Sequence, residues 1–296
     1  MAAVSTSSTG LGTTTSGYPV ALVLASILSV QFGGALAATL IPVIGVLGSV
    51  ALRLGIGALV MLAVARPRIG GHTRADWLTA ATFGIALAVM NSTFYGALGR
   101  LPIGVAVTIE FLGPLLLAAA LSRHLLDGVA VLAAGVGVVL ISQVASTARD
   151  QVDVIGIGLA LLAGAAWAAY ILLSARTGRA FGGTEGLAWA MVVAAALVVP
   201  AGLVVDGTAL FAPDALIKGA GIAILSSVLP YSLELLALRR LDPRVFGILL
   251  SLEPAAAALA GLLILHQSLT AIQLAGMALV VCASAVVTMR SAAPVD

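Results

Sequence analysis

The sequence predicts an all-α membrane protein of ten transmembrane helices, arranged as two inverted five-helix repeats around a central cavity. Three observations predict it. Of 296 residues, 61% are hydrophobic and only 9% are charged, with a mean hydropathy of +1.18. That is too little charge to clothe a water-soluble globule of this size, whereas a surface in contact with lipid needs none. Ten apolar stretches each approach the roughly 20 helical residues that a bilayer core of about 30 Å requires. Finally, the stretch at 91–126 can be laid against the stretch at 231–266, and an offset of that length corresponds to five spans, an odd number. The second half therefore enters the membrane from the opposite side.

The elements follow in order. Residues 1–17, "MAAVSTSSTGLGTTTSG", are rich in Ser, Thr and Gly and carry no Lys or Arg, so they read as a disordered cytoplasmic tail and not as a signal peptide. A first repeat occupies 18–145, with spans at 19–39, 44–65, 77–98, 103–121 and 127–145. A linker at 146–153 leads to a second repeat at 154–290, with spans at 154–174, 186–205, 215–237, 245–265 and 269–289. A short cytoplasmic tail, 291–296, closes the chain. Small-residue faces such as "GLALLAGAAWAA" at 158–169 suit close helix packing in lipid.

Positive charge sets the orientation. Arg66, Arg68, Arg74, Arg123, Arg176, Arg179, Arg239, Arg240, Arg244 and Arg290 fall on one side, whereas Arg100, Arg149 and Lys218 fall on the other. Both termini are thereby expected in the cytoplasm. The Lys and Arg residues form no basic tract, so no nucleic-acid partner is expected. Cys282, the single cysteine, excludes an internal disulfide and reads as a packing residue. His72, His124 and His266 lie in loops or at span ends and are expected to be solvated. No cofactor or metal is expected.

Charges inside the spans carry the functional reading, because each costs at least about 2.5 kcal/mol at the bilayer centre without a partner, a cavity or a proton. When the two repeats are laid together Glu110 falls within three positions of Glu253, and each is near mid-membrane by helix rise. They are the candidates for substrate binding or proton coupling. Pro114 lacks the N–H that would pair with the Glu110 carbonyl, and Pro254 likewise frees the carbonyl of Leu250. These two prolines mark candidate helix breaks, where free carbonyls must face a cavity or a partner. Pro200 and Pro230 either do the same or kink their helices. Arg53 and Glu234 are open to two readings, an ion pair that holds helices together or a place in the pocket. Gln31, Asn91, Tyr95, Trp167, Tyr170 and Tyr231 are further candidates for lining a pocket for a small polar solute.

The stretches "PIGVAVTIEFLGPL", "LPYSLELLAL" and "FGILLSLEPAAAALAG", together with "SVQFGGALA", "ALRLGIGAL", "MNSTFYGAL" and "AAWAAYIL", carry a family resemblance. The chain resembles the EamA branch of the drug/metabolite transporter superfamily, and within it the bacterial inner-membrane threonine/homoserine exporters. The resemblance implies two inverted five-helix repeats, a central cavity and gradient-driven export of small amino acids. One departure is "LHQSLT", where His266 and Gln267 stand after span 9 in place of the acidic residue usual in relatives.

The expected activity is therefore secondary export, with protons and a small amino acid or metabolite as partners and the cytoplasmic membrane as location. An ionised Glu110 or Glu253 would hold the solute's ammonium group, while Arg53, Asn91 or Tyr95 would receive its carboxylate. A passive facilitator of the same fold is one alternative. An intramembrane enzyme using paired glutamates is another, although neither an H-E-x-x-H nor a G-x-S-x-G motif occurs, and no phosphate-binding G-x-x-x-x-G-K-[ST] loop supports nucleotide-driven pumping.

Overall fold

Apolar, Ala- and Leu-rich runs with few breakers favour helix throughout, and the computed structural model, which describes residues 17–121, 125–142, 153–238 and 249–290, holds no strand among them. Nearly all of the two expected tails, the linker up to 152, and Arg123, His124, Arg149, Arg239, Arg240 and Arg244 lie outside the described residues.

The first helix, α1 (Gly17–Ala65), runs 49 residues, about twice what a bilayer needs. It is broken at Ile44 and Gly45, and Gly45 adopts φ 71°, a left-handed conformation that glycine reaches without steric penalty. Next come α2 (Arg74–Leu98), α3 (Ile103–Glu110), α4 (Leu112–Leu121), α5 (Leu125–Ser142), α6 (Val154–Ala180) and α7 (Glu185–Asp206). After a 3₁₀ turn at Gly207–Phe211, α8 (Pro213–Ala223) passes through a π-helical turn, Ile224–Val228, into α9 (Leu229–Leu238). The chain finishes with α10 (Glu253–Leu265) and α11 (Ala271–Arg290).

Among the described residues, five helices are long and apolar enough to cross a membrane, and shorter apolar helices lie at Ile103–Leu117, Gly128–Ile141, Glu253–Leu265 and Ala271–Val286. Their outward faces are apolar: Leu59, Leu132, Ile217 and Val204 are all largely exposed. In water such a surface would aggregate, whereas in lipid it is at equilibrium.

Polar caps fix where helices start. Thr73 and Asp76 form a reciprocal capping box at the head of α2, a device that satisfies two orphan amides. Asp153 accepts from the Gly156 amide at 2.7 Å and pairs with Arg100 at 3.1 Å. The Gly156 amide first, and Arg100 with it, hold the Asp153 carboxyl below the usual carboxylate range. The cap is worth about 1 kcal/mol and the exposed pair less, yet together they tie the loop after α2 to the start of α6.

Packing is led by α1 on α7, α2 on α6 and α5 on α11. Glycines set the closest approaches. A side-chain carbon on Gly276 would come 2.6 Å from the Gly137 carbonyl oxygen, and one on Gly137 would come 2.7 Å from that of Gly276, so α5 and α11 touch backbone to backbone. Gly113 of α4 and Gly164 of α6 form a second such crossing. A carbon added to Gly113 would collide with the carbonyl of Gly164, and one added to Gly164 with the carbonyl of Glu110.

Four expectations change. The spans at 103–121 and 245–265 are not continuous helices: α3 ends at Glu110 and α4 begins at Leu112, while α10 begins only at Glu253 after a turn at Ser251 and Leu252. Pro254 accordingly sits in the first turn of α10, where an amide would be unpaired in any case. Cys282 is exposed and not packed. His72 is not solvated but stacks on Phe181 at 4.2 Å between centroids, meets Trp77 edge-on, and lies 3.9 Å from Glu185.

Candidate functional site

The membrane-spanning bundle encloses a cavity of about 590 Å³, lined from α1, α2, α3, α4, α6, the π-helical turn, α9, α10 and α11. A hollow this large in a packed interior is a binding site by default. Its wall is largely apolar, with Phe94, Phe111, Leu115, Leu117 and Ile171 among its residues. Into it project Glu110, Glu234 and Glu253, with Arg53, Gln31 and Asn91.

The two glutamates in matching sequence positions thus share one hollow, and each marks a helix break. Glu110 is the last residue of α3, and Glu253 is the first of α10. Both are buried. Glu253 lies close enough to Glu234 and Glu110 for their charges to repel it, and the Arg53 guanidinium is close enough to attract Glu110. Glu234 accepts a hydrogen bond from Ser26 Oγ at 2.8 Å.

Arg53 is anchored as well as exposed to the cavity. Its Nη2 donates to the Ser226 carbonyl at 3.0 Å, its Nε to Ser227 Oγ at 3.3 Å and its Nη1 to Tyr95 Oη at 3.4 Å. The guanidinium also lies 5.4 Å from the Tyr95 ring centroid, within cation–π range. Tyr95, fully buried, therefore stands behind Arg53 and is absent from the cavity wall.

Proline chemistry explains one of these contacts. Pro230 gives no N–H to the turn before it, a π-helical turn in which the Ser226 carbonyl is taken by Arg53 and the Leu225 carbonyl by Ser29. At Pro114 the outcome differs. The freed Glu110 carbonyl packs against Gly164 of α6, while Pro114 itself lines the cavity. Pro254 is not on the wall, although Leu250 is.

The remaining candidates fall into place individually. Asn91 donates through Nδ2 to the Leu87 carbonyl at 2.8 Å, leaving its Oδ1 buried and, among the described residues, without a partner as an acceptor at the cavity. Trp167 meets Phe111 at 5.7 Å, and Tyr170 meets Phe83 at 5.1 Å; both line the wall with Gln31. Beyond Tyr170 and Ser174, which both spaces share, lies a smaller hollow of about 110 Å³. Tyr231 lies on α9, and its side chain is outside the described residues.

Sequence reasoning missed the serines. Ser226 and Ser227 support Arg53, Ser26 holds Glu234, and Ser284 lines the cavity while accepting from Ser251 at 3.1 Å. Serine is common in apolar helices because it can bond its own preceding turn, so only the spacing of Ser226 to Pro230 hinted at a role. Gln267 ties the end of α10 to α3: its Oε1 accepts from the Ile103 amide at the head of α3 at 3.1 Å. His266 closes α10 in the left-handed conformation, with φ 54°.

An all-helical chain with apolar outward faces around a hollow lined by acids is a multi-pass membrane protein of the transporter class. The EamA-like transporter family profile matches residues 154–289. Threonine/homoserine exporter RhtA of Escherichia coli (strain K12) is 39% identical over 266 residues, covering 90% of each chain. RhtA of Salmonella typhimurium (strain SL1344) matches to the same extent. A solved crystal structure aligns with a TM-score of 0.64 over 93% of this chain and 98% of its own, at 20% identity, a likeness of fold. The chain belongs to the EamA-like transporter family.

Proposed function

We propose that this protein is a secondary active exporter of small neutral amino acids of the threonine and homoserine type, coupled to protons and residing in the cytoplasmic membrane with both termini inside. The observation that carries the reading is the cavity itself, in which Glu110, Glu253 and Arg53 surround a space large enough for an amino acid. A zwitterion presents an ammonium group for a carboxylate and a carboxylate for a guanidinium or amide. Charge-assisted hydrogen bonds of this kind are about twice as strong as neutral ones. The high identity to proteins named as threonine/homoserine exporters supports the solute class.

The architecture proposed is ten spans in two inverted repeats. The two halves of α1 supply two. The others are α2, α3 with α4, α5, α6, α7, α8 with α9, α10 with the residues before it, and α11. The positions of Glu110 and Glu253 at breaks in corresponding spans support the repeat. Such broken helices at the midplane are how secondary transporters place backbone and side-chain polarity at a solute.

The reading is tested by efflux of a labelled amino-acid panel from cells with and without the protein. Faster efflux of threonine and homoserine than of acidic or basic amino acids is expected. Equal rates with and without the protein across the panel would overturn it.

A further inference from the structure

We propose that Glu234 and Ser26 form the proton-sensing switch of the transport cycle, separate from solute binding at Glu110 and Glu253; the inference rests on the export reading above. Among the described residues, three carboxyls and one guanidinium line the cavity. With every group ionised they leave an excess of two negative charges, and a zwitterionic solute adds no net charge. A cavity walled by apolar side chains supports such an excess poorly, so a proton accompanies the empty site at one of the three acids.

Ser26 singles out which. Fully buried on α1, its hydroxyl has one hydrogen and two acceptors on the same turn of α9: Glu234 Oε1 at 2.8 Å and the Pro230 carbonyl at 3.4 Å. When Glu234 is ionised, the hydrogen goes to its carboxylate in a charge-assisted bond that draws α1 to α9. When Glu234 takes up a proton from cavity water, its own O–H becomes a donor. The Ser26 hydrogen is then released to the Pro230 carbonyl, and the charge-assisted bond between α1 and α9 is exchanged for neutral ones along the same turn. When the proton returns to water the first arrangement is restored, and only O–H bonds are made or broken.

Among the described residues, Glu253 from α10 is the titratable group that interacts with Glu234, and Glu110 from α3 and Arg53 from α1 line the same cavity. The turn that holds Pro230 also places the Ser226 carbonyl on Arg53. A change in the α1–α9 contact therefore reaches the cation that receives the solute's carboxylate. Ser29 supplies an internal control: it also joins α1 to this segment, donating to the Leu225 carbonyl at 2.7 Å, but neither partner titrates.

The test uses the full-length protein in proteoliposomes with labelled threonine, comparing exchange of internal for external threonine with accumulation driven by a pH gradient. Glu234→Gln is expected to lose pH-driven accumulation by about tenfold or more relative to its own exchange rate, within the usual range of coupling between sites. Ser26→Ala is expected to keep exchange and to shift the pH dependence of accumulation, whereas Ser29→Ala leaves that dependence unchanged. Wild-type accumulation by Glu234→Gln, loss of its exchange together with accumulation, or equal pH shifts in the two serine variants would each overturn the proposal. Wild-type protein that carries threonine without responding to the pH gradient overturns the switch and leaves export standing. Wild-type protein that carries no threonine in either assay overturns both.

Discussion

Glu253→Gln and Glu110→Gln are each expected to reduce export by about tenfold or more, while the protein still folds and inserts. Glutamine keeps the size and hydrogen-bonding reach of the side chain, so packing of the cavity wall is preserved. What is lost is the negative charge facing the solute's ammonium. Removing one partner of a buried charge pair costs about 2 kcal/mol or more, which corresponds to about thirtyfold in affinity. The check is labelled threonine efflux alongside the amount and thermal midpoint of purified protein. Export at the wild-type rate in both variants would remove the two glutamates from the solute site.

Gly164→Ala is expected to destabilise the bundle and abolish export, although it adds only a methyl group. The added carbon collides with the carbonyl oxygen of Glu110 and comes 3.3 Å from its Cα. Backbone has no rotamer by which to retreat, so α6 and the α3–α4 break must separate, and Glu110 moves with them. Overpacking typically costs about 1–3 kcal/mol. Gly158→Ala is the matched control, on the same helix with open space where its side chain would stand. There alanine should be neutral or slightly stabilising, because it narrows the unfolded ensemble. Thermal unfolding in detergent should show a lower midpoint for Gly164→Ala alone. Equal midpoints for the two variants would contradict the crossing as described.

Much of the site was legible because polarity is scarce in this chain. A Glu, Arg, Gln or Asn within an apolar run must turn inward, and Glu110, Glu234, Glu253, Arg53, Gln31 and Asn91 all line the same hollow. Tyr95 was legible as buried and polar, but whether it faces solute or supports Arg53 depends on side-chain direction across two helices. The prolines were legible as sources of free carbonyls, whereas the fate of those carbonyls was not. In the turn before Pro230 the carbonyls meet a guanidinium and a serine hydroxyl, the one freed by Pro114 meets a glycine, and Pro254 begins a helix.

The serines and glycines were the least legible, for opposite reasons. Ser26, Ser226 and Ser227 resemble the many helix serines that bond their own backbone, and only the neighbouring helix gives them a function. Gly113 and Gly164 belong to a chain with 33 glycines, so composition announces close packing without saying which pair crosses. The helix breaks fall at Phe111 and at Ser251–Leu252, just before Pro114 and Pro254; a proline marks the neighbourhood of a break but not its exact residue.

The central claim is that the cavity works as an uphill exporter and not as a passive pore. The most direct measurement uses purified protein in proteoliposomes, loaded with equal labelled threonine on both sides and given an imposed pH gradient. Net accumulation of threonine on one side, collapsing when the gradient is dissipated, is the result this account predicts. Equilibration without accumulation under the same gradient would contradict it.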